Sequence, residues 1–543
     1  MKNLQTHIVE RVIVLEGWRA SLLAIAAGAL SALALAPFHF LPILLVTFPI
    51  LVWLLDGAVA PAGKANVIRR FWPSFRTGWM FGFGYFLAGF WWVGKAFLVD
   101  ADEFIYLLPL AVIALPAGLA LFWGGATALA RLAWHNNDKG RSWVRLMALA
   151  CCFALFEWLR GTVLTGLPWN NIAYGAMPSP LLMQSSGLVG LYGMTFFTVF
   201  VAASFGVSLV ENRKFILLPI LLSVAHVGYG FFVLSKATDD TVEGVNLRIV
   251  QPAIDQSKKW DPAYEAEMMG RYLNLSNTNK GPEAASIEAF SHVIWPESAF
   301  PFILTQRQDQ LAAIAKLLPP TTTLITGAMR LEKAVSPGKE HKVFNALYVI
   351  NGAGEIIEAR DKTRLLPFGE FLPFQKTLEK MGFLQLTKQK GGFTQGTRRQ
   401  VVNMKTAPPF LPLICYEIVF SGAVRSQNST GEVPQWIINI TNDAWFGMTA
   451  GPYQHAHQAQ VRAVEEGLPV VRAANSGISM VVDAYGRIKE SLALGEQGVV
   501  DAALPVAGPA TPFSRYGNMP ILIFVCFLFL ILVGVSLTNT KKL

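Results

Sequence analysis

The stretch Phe410-Leu-Pro-Leu-Ile-Cys-Tyr-Glu417 decides how the second half of this chain folds. Five apolar residues read as a short buried strand, and the run stops at a cysteine followed by Tyr416 and Glu417. A thiol where a strand gives way to a turn can be presented to a cleft as a nucleophile. The same thiol also fits a core as a small hydrophobe.

Around this strand the pattern alternates short β-rich runs with amphipathic segments. Asn246–Val250, His292–Trp295, Thr323–Thr326, Ala346–Ile350, Phe410–Ile414, Trp436–Ile440 and Ser479–Val482 are predicted strands. Asp261-Pro262 caps a predicted helix reaching about Leu275, and Gln308–Leu318 and Gln454–Glu466 have helical spacing. Asn351–Gly354 and Asp483–Gly486 read as hairpin turns, and Pro505–Pro512 as a linker. The class is α/β, with helices covering buried sheets.

The rest of the chain is different. Over all 543 residues, 53% are hydrophobic and 15% charged, and the mean hydropathy is +0.41, too apolar for an ordinary soluble protein. A bilayer needs roughly 20 apolar residues per helix. Stretches near that length are Leu22–Pro37, Leu41–Leu55, Phe81–Val99, Ile105–Leu129, Trp143–Leu159, Gly187–Val210, Phe215–Leu234 and Ile521–Leu537, eight predicted spans. Glu10 and Glu16 ahead of the first run, and the second run directly after it, argue against a cleaved signal. With four cysteines and no fixed repeat, a disulfide scaffold and a solenoid are excluded.

Charge then sets orientation. Of the 45 Lys and Arg, 17 lie outside residues 236–518, and 15 of these fall on one set of alternate loops, from Lys2, Arg11 and Arg19 to Lys541 and Lys542. Lys95 and Arg160 fall on the other side, near the acidic Asp100–Glu103. The positive-inside rule puts both termini in the cytoplasm and residues 236–518 outside it. That outer stretch holds 28 basic and 27 acidic residues, so the net +9 belongs mostly to the membrane part and supports no nucleic-acid partner. It also holds one cysteine, Cys415, since Cys151, Cys152 and Cys526 lie in predicted spans.

Two further segments stand out. Glu297 follows Pro296 at the end of the apolar His292–Trp295, and Lys362 and Glu370 bracket Leu365-Leu-Pro-Phe-Gly369. Glu297, Lys362 and Cys415, each at a strand end and in that order, resemble the Glu-Lys-Cys site of the carbon–nitrogen hydrolase (nitrilase) superfamily. Trp436–Gly447, the helix Gln454–Glu466 and Arg472–Ser479 extend the likeness. With the spans, Leu366-Pro-Phe-Gly-Glu-Phe371 and Cys415-Tyr-Glu417 resemble its membrane-embedded branch, the apolipoprotein N-acyltransferases.

The resemblance implies a membrane α-helical bundle of about eight spans plus an extracytoplasmic α/β, nitrilase-like αββα sandwich, in the bacterial inner membrane. Residues 1–235 would form seven spans, 236–505 the periplasmic catalytic domain, and 506–543 a linker and last helix. It also implies a ping-pong acyltransferase. Cys415 would take an acyl chain from a phospholipid as a thioester, and the α-amino group of a diacylated apolipoprotein would then receive it. Glu297 would serve as the base that a thiol of pKa ~8.5 needs, and Lys362 as a fixed charge beside the oxyanion. Glu370 and Glu417 would hold Lys362 charged and oriented, with Tyr416 beside them. Trp260, Phe371, Trp445 and Phe446 are candidate substrate contacts.

In the loop Thr162–Pro180, Trp169 and Tyr174 read equally as lining for the acyl chain and as interfacial anchors. Glu157 and His226 must face the bundle or a lipid cavity. His455 and His457, two apart on a helix, are a poor metal pair. No metal spacing, phosphate loop or dinucleotide fingerprint occurs, so no cofactor is expected, and the chain is expected to be a monomer. The competing readings are a tethered amidase acting on a small soluble amide, which one helix would anchor, and a transporter, which would need more charges deep in its spans.

The orientation is directly testable. In a chain whose own cysteines are replaced, a cysteine at Glu355 should react with an impermeant maleimide on intact spheroplasts. One at Lys541 should react only after lysis. The reverse pattern would overturn the assignment.

Overall fold

The computed structural model describes residues 2–59, 67–134, 142–210, 213–278, 285–333, 341–382, 384–387, 391–397, 400–422, 424 and 432–540. Lys64, Lys139, Arg141, Lys541 and Lys542, used above for orientation, lie outside them. Two compact units divide the chain: Met1–Gly94, Tyr106–Lys236 and Arg515–Leu543 in one, Lys95–Ile105 and Ala237–Ser514 in the other.

The first unit is helical: α1 Lys2–Ile13, α2 Gly17–Ser31, α3 Leu44–Gly57, α4 Val67–Phe90, α5 Leu108–Ala130, α6 Ser142–Arg160, α7 Ser186–Val210 and α8 Leu217–Leu234. Each predicted span meets a helix. Among the described residues, five stretches are by length and composition able to cross a membrane: Gly17–Ala34, Ala101–Ala133, Ser186–Val207, Leu217–Leu234 and Met519–Thr538; Leu41–Gly57 is apolar but shorter. One prediction is displaced. The helix expected at Phe81–Val99 runs over Val67–Phe90, and Trp91–Leu98 is a 3-10 segment. Arg69, Arg70 and Arg76 hid its first turns from a reading based on apolarity.

Polar groups tie these helices together. Arg145 lies 3.3 Å from Asp56, Trp134 Nε1 donates to the same carboxylate at 2.8 Å, and Arg131 donates to the Leu55 carbonyl, so two orienting charges converge on the end of α3. Gly28 lets α2 meet α4 at the Phe81 carbonyl, which an added Cβ would overlap. Arg160 is no loop charge. It is buried, pairs with Glu157 at 2.5 Å, donates to the Leu167 and Trp169 carbonyls and sits over the Phe86 ring. Trp123 Nε1 completes Glu157 at 2.7 Å. His226 turns inward to Ser185 at 2.7 Å. Trp169 and Tyr174 are buried inside this unit, which rules out an anchoring role at its surface.

The second unit contains two sheets. Strands β1 Thr241–Gln251, β2 His292–Ile294, β3 Thr323–Glu332, β4 Lys342–Ile350, β5 Ile356–Asp361 and β11 Gly498–Pro505 form a sheet of order β11-β1-β2-β3-β4-β5. β6 Phe410–Ile414, β7 Trp436–Thr441, β8 Val470–Ala474, β9 Ser479–Val482 and β10 Ile488–Leu492 form the other, of order β10-β9-β8-β7-β6. β1, β2 and β3 are parallel, as are β6, β7 and β8, and antiparallel strands flank both groups.

Period two explains the layering. Leu247, Ile249, Ile325, Leu347 and Val349 pack between the sheets against Phe410, Trp436, Ile438, Ile440 and Val481. Their neighbours Val250, Leu324, Tyr348 and Ile350 point the other way, onto α9 Glu265–Ser276 and α10 Gln308–Leu317 through Met268, Tyr272 and Ile314. α11 Ala450–Glu466 lies against β8 on the far face of the second sheet. The order is helices, sheet, sheet, helix. The chain leaves β11 at Pro505 and ends in α12 Met519–Thr540.

Removing one partner of a buried ion pair costs about 3–5 kcal/mol, whereas an apolar replacement of both is near neutral. Arg160→Met should therefore lower the melting temperature in detergent. Glu157→Leu/Arg160→Met should recover part of the loss, since the Leu167 and Trp169 carbonyls and Trp123 Nε1 still lose these partners.

Candidate active site

Strand ends at one edge of the two sheets supply the polar groups. β2 is three residues long, and its ladder continues through Trp295, whose N–H donates to the Ile325 carbonyl at 2.8 Å. The next turn lies on Gly327: Ala299 N–H donates to its carbonyl and Gly327 N–H to that of Pro296. A Cβ at Gly327 would stand 2.6 Å from Glu297 Cα and 2.7 Å from Ser298 N, so only glycine allows this approach.

Lys362 follows β5 directly, and its N–H donates to the Asn345 carbonyl at 2.8 Å. Its ammonium is 2% exposed and lies 2.9 Å from Glu370 and 3.5 Å from Glu297. Asn345 Nδ2, from β4, bridges both carboxylates, at 2.7 Å to Glu297 Oε1 and 2.9 Å to Glu370 Oε1. Glu297 Oε2 takes the Asn442 N–H at 2.9 Å, and Glu370 Oε2 that of Leu366 at 2.8 Å. Burial alone would pull the Lys362 ammonium down, but Glu370 and then Glu297 outweigh it and hold it well above the usual lysine range.

Cys415 follows β6 with a φ of +52°, a left-handed conformation that a non-glycine residue adopts only when its surroundings enforce it. Glu417 enforces it from one side. Its carboxylate accepts from Ile414 N–H at 2.8 Å, and from Thr363 N–H, Thr363 Oγ1 and Arg364 N–H at 2.9, 2.6 and 3.1 Å. This corrects the expectation for Glu417. Its bonds fasten the turn after Cys415 to the chain leaving Lys362, while the ion-pair partners of Lys362 are Glu370 and Glu297. Tyr416, buried, packs edge-on against Phe420.

From the other side, His455 Nε2 lies 3.3 Å from the Cys415 carbonyl and Nδ1 lies 2.9 Å from Asp443, which Arg472 pairs at 2.6 Å. Burial would raise the Asp443 carboxyl, but Arg472 and His455 hold it well below the usual range. His455 is thus a scaffold group, while His457 is buried on the same helix. The thiol is pushed up by burial first and by Glu297 second, with Lys362 and a hydrogen bond from Thr441 opposing. At neutral pH it rests protonated and needs a base to react.

Glu297, Lys362, Glu370 and Cys415 therefore come together, and Glu417 supports them. The four aromatic candidates flank the site in sequence: Trp260 beside Lys259, Phe371 beside Glu370, Trp445 and Phe446 just after Asp443. All four are partly exposed. Sequence reasoning missed Lys259, Asn345, Asn442, Asp443, His455 and Arg472 as site groups. Asn345 had one signal, a lone amide inside the apolar run Phe344–Ile350.

Gly327→Ala should cost about 1–3 kcal/mol as an overpacked contact, read as a lower melting temperature, because Glu297 must move off Asn345 and Asn442. An unchanged melting temperature would mean that the turn has slack.

Residues 27–204 match the model of the apolipoprotein N-acyltransferase N-terminal domain, and residues 246–509 that of carbon–nitrogen hydrolase. Apolipoprotein N-acyltransferase of Rhodopseudomonas palustris is 42% identical, covering 98% of each chain. That of Bradyrhizobium diazoefficiens is 45% identical, covering 97% of each, and that of Brucella suis 45%, covering 95% of this chain and 94% of its own. Among solved structures, an amidase from Nesterenkonia sp. aligns at 15% identity over 49% of this chain and 92% of its own, with a TM-score of 0.33. With relatives this similar over nearly its whole length, the chain belongs to the apolipoprotein N-acyltransferase family.

Proposed function

We propose that this chain moves an acyl chain from a membrane phospholipid, through a thioester on Cys415, to the α-amino group of the N-terminal S-diacylglyceryl cysteine of an apolipoprotein. The convergence of Glu297 and Lys362 with Cys415 supports this reading. In the first half-reaction Glu297 takes the thiol proton as sulfur attacks the ester carbonyl, and Lys362 faces the oxyanion. Collapse releases the lysophospholipid alkoxide, which takes that proton back. In the second, the amine attacks the thioester, Glu297 accepts its proton, and the thiolate leaves and takes that proton from Glu297, which restores the resting thiol.

Because the thiol rests protonated, Glu297 has to act in both directions. Lys362 stays charged throughout because Glu370 neutralises it. Trp260, Phe371, Trp445 and Phe446 contact the acyl chain. Residues 1–235 form seven spans, 236–505 the catalytic domain on the periplasmic side of the inner membrane, and 506–543 a linker and eighth span. Both termini are cytoplasmic, and the protein works as a monomer. Two lipid substrates that meet only at a bilayer surface give a reason for so many helices.

Purified protein given phospholipid should carry an acyl group on the Cys415 peptide that hydroxylamine removes, seen by mass spectrometry. Lys362→Met should slow its formation by on the order of 10²–10³-fold. Normal N-acylation of lipoprotein by Cys415→Ser would sink the mechanism.

A further inference from the structure

The turn Asp255–Trp260 carries a second buried lysine. Asp255, Ser257, Lys258 and Trp260 face outward, while Gln256 and Lys259 face inward, and Lys259 is 1% exposed. Its Nζ donates to the backbone carbonyl of Glu297 at 3.2 Å, its one hydrogen-bond partner among the described residues. Gln256 reaches the same glutamate from its other end: Gln256 Oε1 accepts from Asn442 Nδ2 at 2.7 Å, and the Asn442 N–H binds Glu297 Oε2. One turn therefore holds the Glu297 backbone directly and reaches its carboxylate through Asn442.

Among the charges that act on the thiol and their ion-pair partners, the balance closes only when this lysine is counted; Glu417, whose carboxylate is taken up by three backbone N–H groups and the Thr363 hydroxyl, stands outside this count. Asp443 is matched by Arg472, with His455 beside it. Glu297 and Glu370 share Lys362, which leaves one negative charge in excess. Lys259, within electrostatic reach of both Glu297 and Cys415, cancels it. An uncompensated buried anion there would oppose negative charge on the sulfur and then on the oxyanion.

We propose that Lys259 is a positioning residue for the acyl transfer at Cys415, fixing the Glu297 backbone and supplying the positive charge that keeps the buried cluster neutral while the thiolate forms. The role in acyl transfer rests on the reading above. Burial holds this ammonium down at about 8, with Glu297 and Cys415 opposing, so the balance is complete below that pH and fades above it.

The test is the rate at which iodoacetamide alkylates Cys415 in the full chain in detergent, followed on its peptide by mass spectrometry from pH 6 to 9. Lys259→Met should slow alkylation at pH 7 on the order of tenfold, equal to about one pH unit in the thiol midpoint. Lys259→Arg should keep the wild-type rate. In Glu370→Gln/Lys259→Met, which removes one charge of each sign and keeps the base Glu297, alkylation should be faster than in Lys259→Met alone. An unchanged rate in Lys259→Met, an equal loss in Lys259→Arg, or a double variant slower still would overturn the proposal. Alkylation needs no lipid, so a wild-type protein that alkylates normally but never forms the thioester would count against the acyl-transfer reading alone.

Discussion

An ammonium shut away from water can stay charged only if opposite charge is placed against it, and Lys362 meets that condition through Glu370 and Glu297. Much of the second unit serves this demand. Asn345 spends both amide protons on the two carboxylates. Gly327 gives up its side chain so that the Glu297 backbone can come close. Glu417 laces the strand that ends at Cys415 to the segment after Lys362. One sheet carries the charges, the other carries the sulfur, and the apolar layer between them sets their separation.

Most of this architecture is legible in the sequence because buried parallel strands are apolar on both faces. Phe410–Ile414 is apolar throughout and Trp436–Ile440 apolar but for Asn439. The strands that escaped notice are chiefly flanking or edge strands. β5, Ile356-Ile-Glu-Ala-Arg-Asp361, and β10, Ile488-Lys-Glu-Ser-Leu492, each border water on one side and look like loops. β8 escaped because Arg472 stands in its middle with two alanines after it, residues of little strand preference, whereas Arg248 of β1 stands among leucine, isoleucine and valine. The site divides in the same way. Glu297, Lys362 and Cys415 could be found because a family pattern marks them, whereas Lys259 sits in Gln256-Ser-Lys-Lys259, where two adjacent charges look solvated.

The helical unit shows the same limit of reading charge from sequence. Arg131 and Arg145 fit an orientation argument and also bind the end of α3, so a residue that reports orientation can carry structure as well. Arg160 fits only the second description. Its guanidinium spans Glu157 and two carbonyls of the segment after α6, a use for which lysine lacks the planar fork.

The aromatic residues around the site each adjoin an anchored polar one: Trp260 next to Lys259, Phe371 next to Glu370, Trp445 two residues after Asp443. Ring and charge are separated by one or two peptide bonds, and the inner partner is held by hydrogen bonds of 3.2 Å or less. A ring can swing about its own side-chain torsions, but its Cα cannot drift without dragging a charged neighbour. The apolar rim is thus free to adapt in shape and fixed in position above the buried charges.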